Sequence, residues 1–188
     1  MVMWISPNYK ETDFQSPVSL DDKIDVFTDR VCGWQLEIAN ECINGEKDEF
    51  RHSGFAVLSI VLSYFEMIAQ YHSGRRSNRQ SPDYFRTGVR LVFPDVGRLP
   101  QAEVDEMLGI LYSGARCGLY HNGMTDPRII LSGDFKEPLT FDFLRKRLGI
   151  NPHLLVPVLV EHLNEYEKQL RDPANAELRS NFERRFSL

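Results

Sequence analysis

The sequence predicts an all-α protein, a four- or five-helix antiparallel bundle with one small β-hairpin insertion. Three observations predict it. Four long stretches carry apolar residues every three or four positions, the spacing of helices with one buried face. Capping signals bracket most of them: Ser19 and Ser53 as N-caps, Asn44-Gly45 and Asn122-Gly123 as stops, Asn151-Pro152 as a start. Only between the third and fourth stretches do two short apolar runs flank a Ser-Gly-Asp turn, the pattern of a hairpin. The 188 residues show no internal repeat, low-complexity tract or second core, so 1–188 reads as a single domain.

Residues 1–18 read as an irregular arm broken by Pro7 and Pro17. The first helix follows Ser19, with Asp22 three residues on as an acidic capping box. Its stripe is Leu20, Ile24, Phe27, Val31, Trp34, Ile38 and Cys42, ending near Ile43. A charged loop, 46–52, leads to Ser53 and a second helix over about 54–72. That helix is apolar nearly all round, which makes it the centre of the bundle. Glu66 is the one ionisable residue within its apolar run, and a carboxylate there needs a partner or water.

Residues 73–98 form an Arg-rich loop, in which Arg75, Arg76, Arg79, Arg86, Arg90 and Arg98 face only Asp83 and Asp95. Ser81-Pro82-Asp83 resembles a short helix start, and Tyr84, Phe85, Val89, Leu91, Val92 and Phe93 would dock that piece on the bundle. The third long helix runs from Pro100 to His121. Pro100 suits the first turn, and Glu103, Asp105 and Glu106 complement the helix dipole. Val104, Leu108, Leu111, Ala115 and Leu119 form its stripe. Gly109, Gly114 and Gly118 each cost a helix about 1 kcal/mol, which asks for a packing reason. Ile129–Leu131 and Leu139–Phe141 are the hairpin strands. A fourth helix from Asn151 carries Pro157 early, and Asp172-Pro173 separates it from a charged terminal helix over 174–186.

Net charge of −5 and a pI near 5.6 argue against a sequence-independent DNA coat, while leaving room for a local basic site. The first residues have no leader-like apolar run, and Phe55–Met67 is too short to span a bilayer and contains Glu66. Cys32 and Cys42 would lie about 15 Å apart on one helix, beyond disulfide reach. With three cysteines and no CxxC, the expectation is a cytoplasmic protein off the membrane. Its histidines and cysteines form no ligand-spaced cluster, so no metal and no cofactor are expected.

The last turns of the third helix hold an Arg and a His in close sequence, Arg116 and His121, within RCGLYHNG. A second such pair, Arg147 and His153, straddles Gly149 and Asn151-Pro152, so it crosses a helix break. The first pair lies on one strongly periodic helix, beside Tyr120 and the capping Asn122. This element, at the end of the third long helix of a bundle, resembles the Arg-x4-6-His motif of the HEPN superfamily (higher eukaryotes and prokaryotes nucleotide-binding).

The resemblance implies a metal-independent endoribonuclease acting as a dimer, with Arg116 and His121 of both chains lining one composite cleft. It implies RNA as substrate, a homodimer through helix 100–121, and a toxin–antitoxin or phage-defence setting with an antitoxin partner. Other members of the family are non-catalytic RNA-binding or scaffolding units, which is the alternative reading. The residue after the arginine, commonly Asn, Asp or His in active members, is Cys117 here. By the same resemblance Glu66 would be the acid that orients Arg116, and Arg75, Arg76, Arg79 and Arg86 would track the RNA backbone.

The chemistry needs few groups. Attack by a 2′-hydroxyl requires a proton acceptor, a proton donor for the leaving oxygen, and positive charge on the phosphorane. His121 suits either proton transfer, and the planar fork of Arg116 suits the phosphorane. Five residues on an ideal helix turn about 140° and rise about 7.5 Å. The two side chains of one chain therefore point apart, and a shared phosphate is easier to reach with two chains.

Overall fold

The computed structural model describes residues 3–44 and 53–187. Gly45 and the charged stretch 46–52, with His52, lie outside the described residues. The protein is mostly helical with a small β insertion. Helix α1 (Leu20–Val31) starts at Ser19, whose Oγ accepts the Asp22 N–H at 3.1 Å, as the capping pair predicts. It continues through a π-helical segment, Cys32–Leu36, into α2 (Glu37–Asn44).

That segment overturns part of the expected stripe. An i→i+5 turn inserts roughly one residue and rotates everything beyond it. The buried positions run Val31, Leu36, Ala39, while Trp34 and Ile38, expected in the core, are 48% and 44% exposed.

Helix α3 (Gly54–Ser73) is central, packing on α2 and on most of the helices that follow, with Val57, Leu58, Val61, Leu62, Phe65 and Ile68 buried. Ser53 stands at its N-cap position, but its hydroxyl donates to the Cys42 carbonyl at 2.6 Å and does not cap the helix. Twenty residues at mean hydropathy 1.4 would reach across a bilayer by length and composition, longer than the run Phe55–Met67. The helix ends at Gly74, whose φ of +66° only glycine adopts freely.

The Arg-rich segment is not a loop throughout. Ser81–Val92 is helix α4, and Pro94–Arg98 a 3-10 turn. Its fold follows from its apolar face: Phe85, Gly88, Val89 and Val92 are buried on α3, and Phe85 meets Phe65 edge-to-face at 5.4 Å. At Gly88 the backbones approach so closely that an added Cβ would fall inside the Phe65 carbonyl group.

The third long helix is α5 (Gln101–Ile110), a second π-helical segment (Leu111–Cys117) and α6 (Gly118–Asn122). Its ends are those the sequence predicts. Gly123, at φ +67°, closes it with its N–H on the Leu119 carbonyl at 3.1 Å. Val104, Leu108, Leu111 and Ala115 are buried as expected. Two of its glycines seat the returning chain: a Cβ on Gly118 would lie 2.6 Å from the Met124 oxygen, and one on Gly114 2.9 Å from Asp126 Cβ. Asp126 locks that contact, its N–H bonding the Gly114 carbonyl at 2.9 Å. Its carboxylate accepts from the side chain and N–H of Arg128, which holds it down at a pKa of about 2. A Cβ on Gly109 would meet nothing.

The two expected strands form, β1 (Ile129–Leu131) and β2 (Leu139–Asp142), but they do not pair with each other. A third strand, β3 (Arg147–Ile150), lies between them, parallel to β1 and antiparallel to β2. Leu148 and Ile150 are fully buried, and that burial draws β3 to the centre of the sheet. Asn151 joins sheet to helix. Its Nδ2 donates to the Gly133 and Phe135 carbonyls at 3.1 and 2.8 Å, and its Oδ1 accepts the His153 N–H at 3.0 Å. Asn151→Ala removes a helix cap and two partly buried hydrogen bonds to the Gly133 and Phe135 carbonyls. It is expected to cost about 2–3 kcal/mol in urea unfolding.

Helix α7 (Pro152–Arg171) runs through Pro157 and packs on α1, α2 and α3, and α8 (Ala176–Arg185) buries Phe182 against α3 and α7. The arm is irregular, as expected, yet anchored. The Asp29 carboxylate accepts from Ser6 Oγ and from the N–H and Nδ2 of Asn8.

Candidate functional site

Arg116 sits near the end of the second π-helical segment. Tyr112 and Tyr120, four residues either side, put their ring centroids 5.8 and 5.3 Å from its guanidinium carbon, a cation–π bracket. From α3, Glu66 Oε2 lies 3.4 Å from Arg116 Nη2. Glu66 Oε1 accepts from Ser81 Oγ at 2.8 Å. The expected pairing of Glu66 with Arg116 is therefore present, and the lone carboxylate of α3 has its partners. Both are partly sheltered, Glu66 at 14% and Arg116 at 28% exposure.

At 3.4 Å the ion pair is longer than the 2.7–2.9 Å usual for a tight charge-assisted bond. It aims the guanidinium while leaving most of its donors unengaged. Cys117 packs beside Tyr112, whose hydroxyl is held above the usual range by burial first and by that thiol second.

Beside Arg116 is a recess of about 330 Å³ between α3 and α6. Arg116 and Tyr120 line it; His121 does not. His121 is exposed at the helix end, its ring edge-on to Tyr120 at 5.2 Å. Among the described residues its ring has no hydrogen-bond partner, and the helix is closed by Gly123, so His121 is not the cap. Asn122 is exposed next to it.

The four arginines expected on an RNA track divide. Arg75, Arg76 and Arg79 are exposed and lack an acidic partner among the described residues. Arg79 holds φ +72° after Asn78 at +38°, a left-handed turn that sets the start of α4. Arg86 belongs to α4, reaches Asp83 at 3.9 Å, and has a buried Nε with no partner, so it is not free as the others are. Ser81 and Tyr112 were not anticipated. Tyr112 was legible as the residue four before Arg116; Ser81 needed the packing of α4 on α3. The three cysteines are free thiols, and among the described residues no three His, Cys, Asp or Glu side chains converge as a metal site.

Two further histidines are half-buried against tyrosines. His162 Nδ1 bonds the Tyr64 hydroxyl at 2.8 Å, and His72 stacks near Tyr166 at 5.0 Å. Burial, and then the neighbouring His72, pushes His162 down from 6.5 to about 4; burial lowers His72 as well. Their charge change opposes folding. Above about pH 6.5 both folded and unfolded chains carry them neutral. As pH falls from 6.5 towards 4, the unfolded chain binds protons that the folded chain refuses. Stability is expected to fall over that window by up to about 1.4 kcal/mol per pH unit from His162, with His72 acting in the same direction. His162→Gln, unfolded in urea at pH 7 and 5.5, should show a shallower loss than the parent.

No family model matches the chain, and neither does any curated protein or solved structure.

Proposed function

We propose that the protein is a HEPN-type, metal-independent endoribonuclease that acts as a homodimer. The observation that carries this reading is the state of its two motif residues. Arg116 is aimed by Glu66 and two tyrosine rings with donors to spare, and His121 stands on the same helix end with its ring open. In this reading the helices around α3 are a four- or five-helix antiparallel bundle of the HEPN kind.

Within it, Arg116 stabilises the phosphorane and His121 carries the proton. Glu66 is a positioning residue. Arg75, Arg76 and Arg79 supply the electrostatic approach for RNA in a chain of net charge −5. His121 lies outside the recess that Arg116 lines, which supports a site completed by a second chain. Gly109 remains open for that contact, while Gly114 and Gly118 are occupied by residues 124–126 of the same chain. A toxin–antitoxin or phage-defence role in the cytoplasm, with a restraining partner, follows from the same reading.

The second reading is a non-catalytic RNA-binding or protein-interaction module of the same fold. The internal pairing of Arg116 with Glu66 and the presence of Cys117 favour it. Incubating the purified protein with RNA in EDTA, together with light scattering for oligomeric state, separates the two. Cleavage by a dimer supports the nuclease; RNA bound but uncut supports the module.

A further inference from the structure

The recess between α3 and α6 has a composition suited to one ligand class. Leu58, Leu62 and Leu119 give it apolar walls, Ser59 and Ser63 add hydroxyls, and Arg116 and Tyr120 complete its lining. At about 330 Å³ it is at the small end for ligand sites, the size of a single flat ring system with its sugar. Tyr120 is 78% exposed, although it sits on a well-capped helix with an apolar stripe available for large side chains. One face of its ring is near the Arg116 guanidinium, so an aromatic group stacked on Tyr120 would carry an attached phosphate next to that cation.

We propose that this recess takes one unpaired nucleobase of a bound RNA strand, stacked on Tyr120, with the adjoining phosphate on Arg116. The inference rests on the RNA reading above and deepens it, because it names the form of RNA the site accepts. A base within a duplex is stacked on both faces and cannot enter; a base in a single strand can.

The serines add a preference. Ser59 Oγ donates to the Phe55 carbonyl and Ser63 Oγ to the Ile60 carbonyl, both at 2.9 Å. With those protons engaged, the two oxygens meet a ligand as acceptors. They suit the exocyclic amino group of cytosine better than the carbonyl that uracil has at the same position.

The test uses the full chain and fluorescent 2′-O-methyl RNA, which lacks the attacking hydroxyl and stays intact. Anisotropy titrations compare single-stranded oligocytidine, oligouridine and a duplex of equal length at one salt concentration. Single strands are expected to bind at least about tenfold more tightly than duplex, and cytidine more tightly than uridine. Tyr120→Ala should weaken single-strand binding about tenfold, and Tyr120→Phe should retain it. Equal binding of duplex and single strand, or a Tyr120→Ala protein that binds as the parent does, overturns the proposal.

Cleavage of unmodified RNA, measured in parallel, separates the two ideas. Cleavage that ignores Tyr120 keeps the nuclease and removes the base recess. Tyr120-dependent single-strand binding without cleavage keeps the recess and removes the nuclease. No RNA binding in any form removes both.

Discussion

Purified protein is expected to cut RNA in the presence of EDTA, and His121→Ala to slow that cutting by about 10²–10⁴-fold, the range for losing a positioned proton-transfer group. Arg116→Ala should cost about 10²–10³-fold, as for removal of one donor to a developing anion. Neither change should unfold the protein. His121 is exposed and has no partner among the described residues, and Arg116 is held only by one long ion pair and two cation–π contacts at the surface. Thermal unfolding and light scattering of each variant check that point. Glu66→Gln gives a finer result. It keeps an acceptor for Ser81 and removes the charge that aims Arg116, so it should act through Arg116 and fall between the parent and Arg116→Ala. Variants that cut RNA as fast as the parent would remove both residues from the chemistry. A folded dimer that binds RNA without cutting it would move the protein to the module reading.

The largest structural effect is expected at Gly88. In an exposed helix, Gly→Ala gains about 1 kcal/mol from propensity. Here the new methyl group would fall inside the Phe65 carbonyl, so α4 must lift from α3 and lose close packing around Phe85 and Val89. Overpacking typically costs about 1–3 kcal/mol and occasionally more, and against backbone, which cannot yield as a side-chain end can, we expect about 4 kcal/mol. We expect a net loss of about 3 kcal/mol in urea unfolding, with Ser81 drawn away from Glu66. Gly109→Ala is the contrasting case. Nothing lies in its way within one chain, so it should stabilise the monomer by up to about 1 kcal/mol. If helix 100–121 forms the dimer through its small residues, the same change weakens the dimer, and light scattering at falling concentration reads that directly.

Periodicity and caps made the helices legible. Ser19, Pro100 and Gly123 mark their own positions because capping is local chemistry. That Glu66 needs a partner or water is legible from one carboxylate in an apolar helix, while Arg116 as that partner came from the family resemblance. What escaped was non-local. The burial of Leu148 and Ile150 puts β3 between the expected hairpin strands, and no turn signal announces a strand that joins both. The glycines of the third helix asked for a neighbour, but the neighbour proved to be residues 124–126, which carry no apolar signature. A 3.6-residue period places Trp34 and Ile38 in the core, and the chain abandons that period at Cys32.

That departure has a consequence for comparing this chain with others. Each π-helical segment is in effect a one-residue insertion inside a helix, with intact helix on both sides. A protein of the same fold with an unbroken α-helix would align here only by a single-residue gap between Leu111 and Cys117, in the middle of a helix where alignments resist gaps. Forced through without one, the alignment would slip the core stripe before the segment against the Arg116–His121 end after it. The Arg-to-His interval would survive such a slip, and the distance from Leu108 to Arg116 would not. A gap of one at that point is thus the mark to look for in candidate relatives.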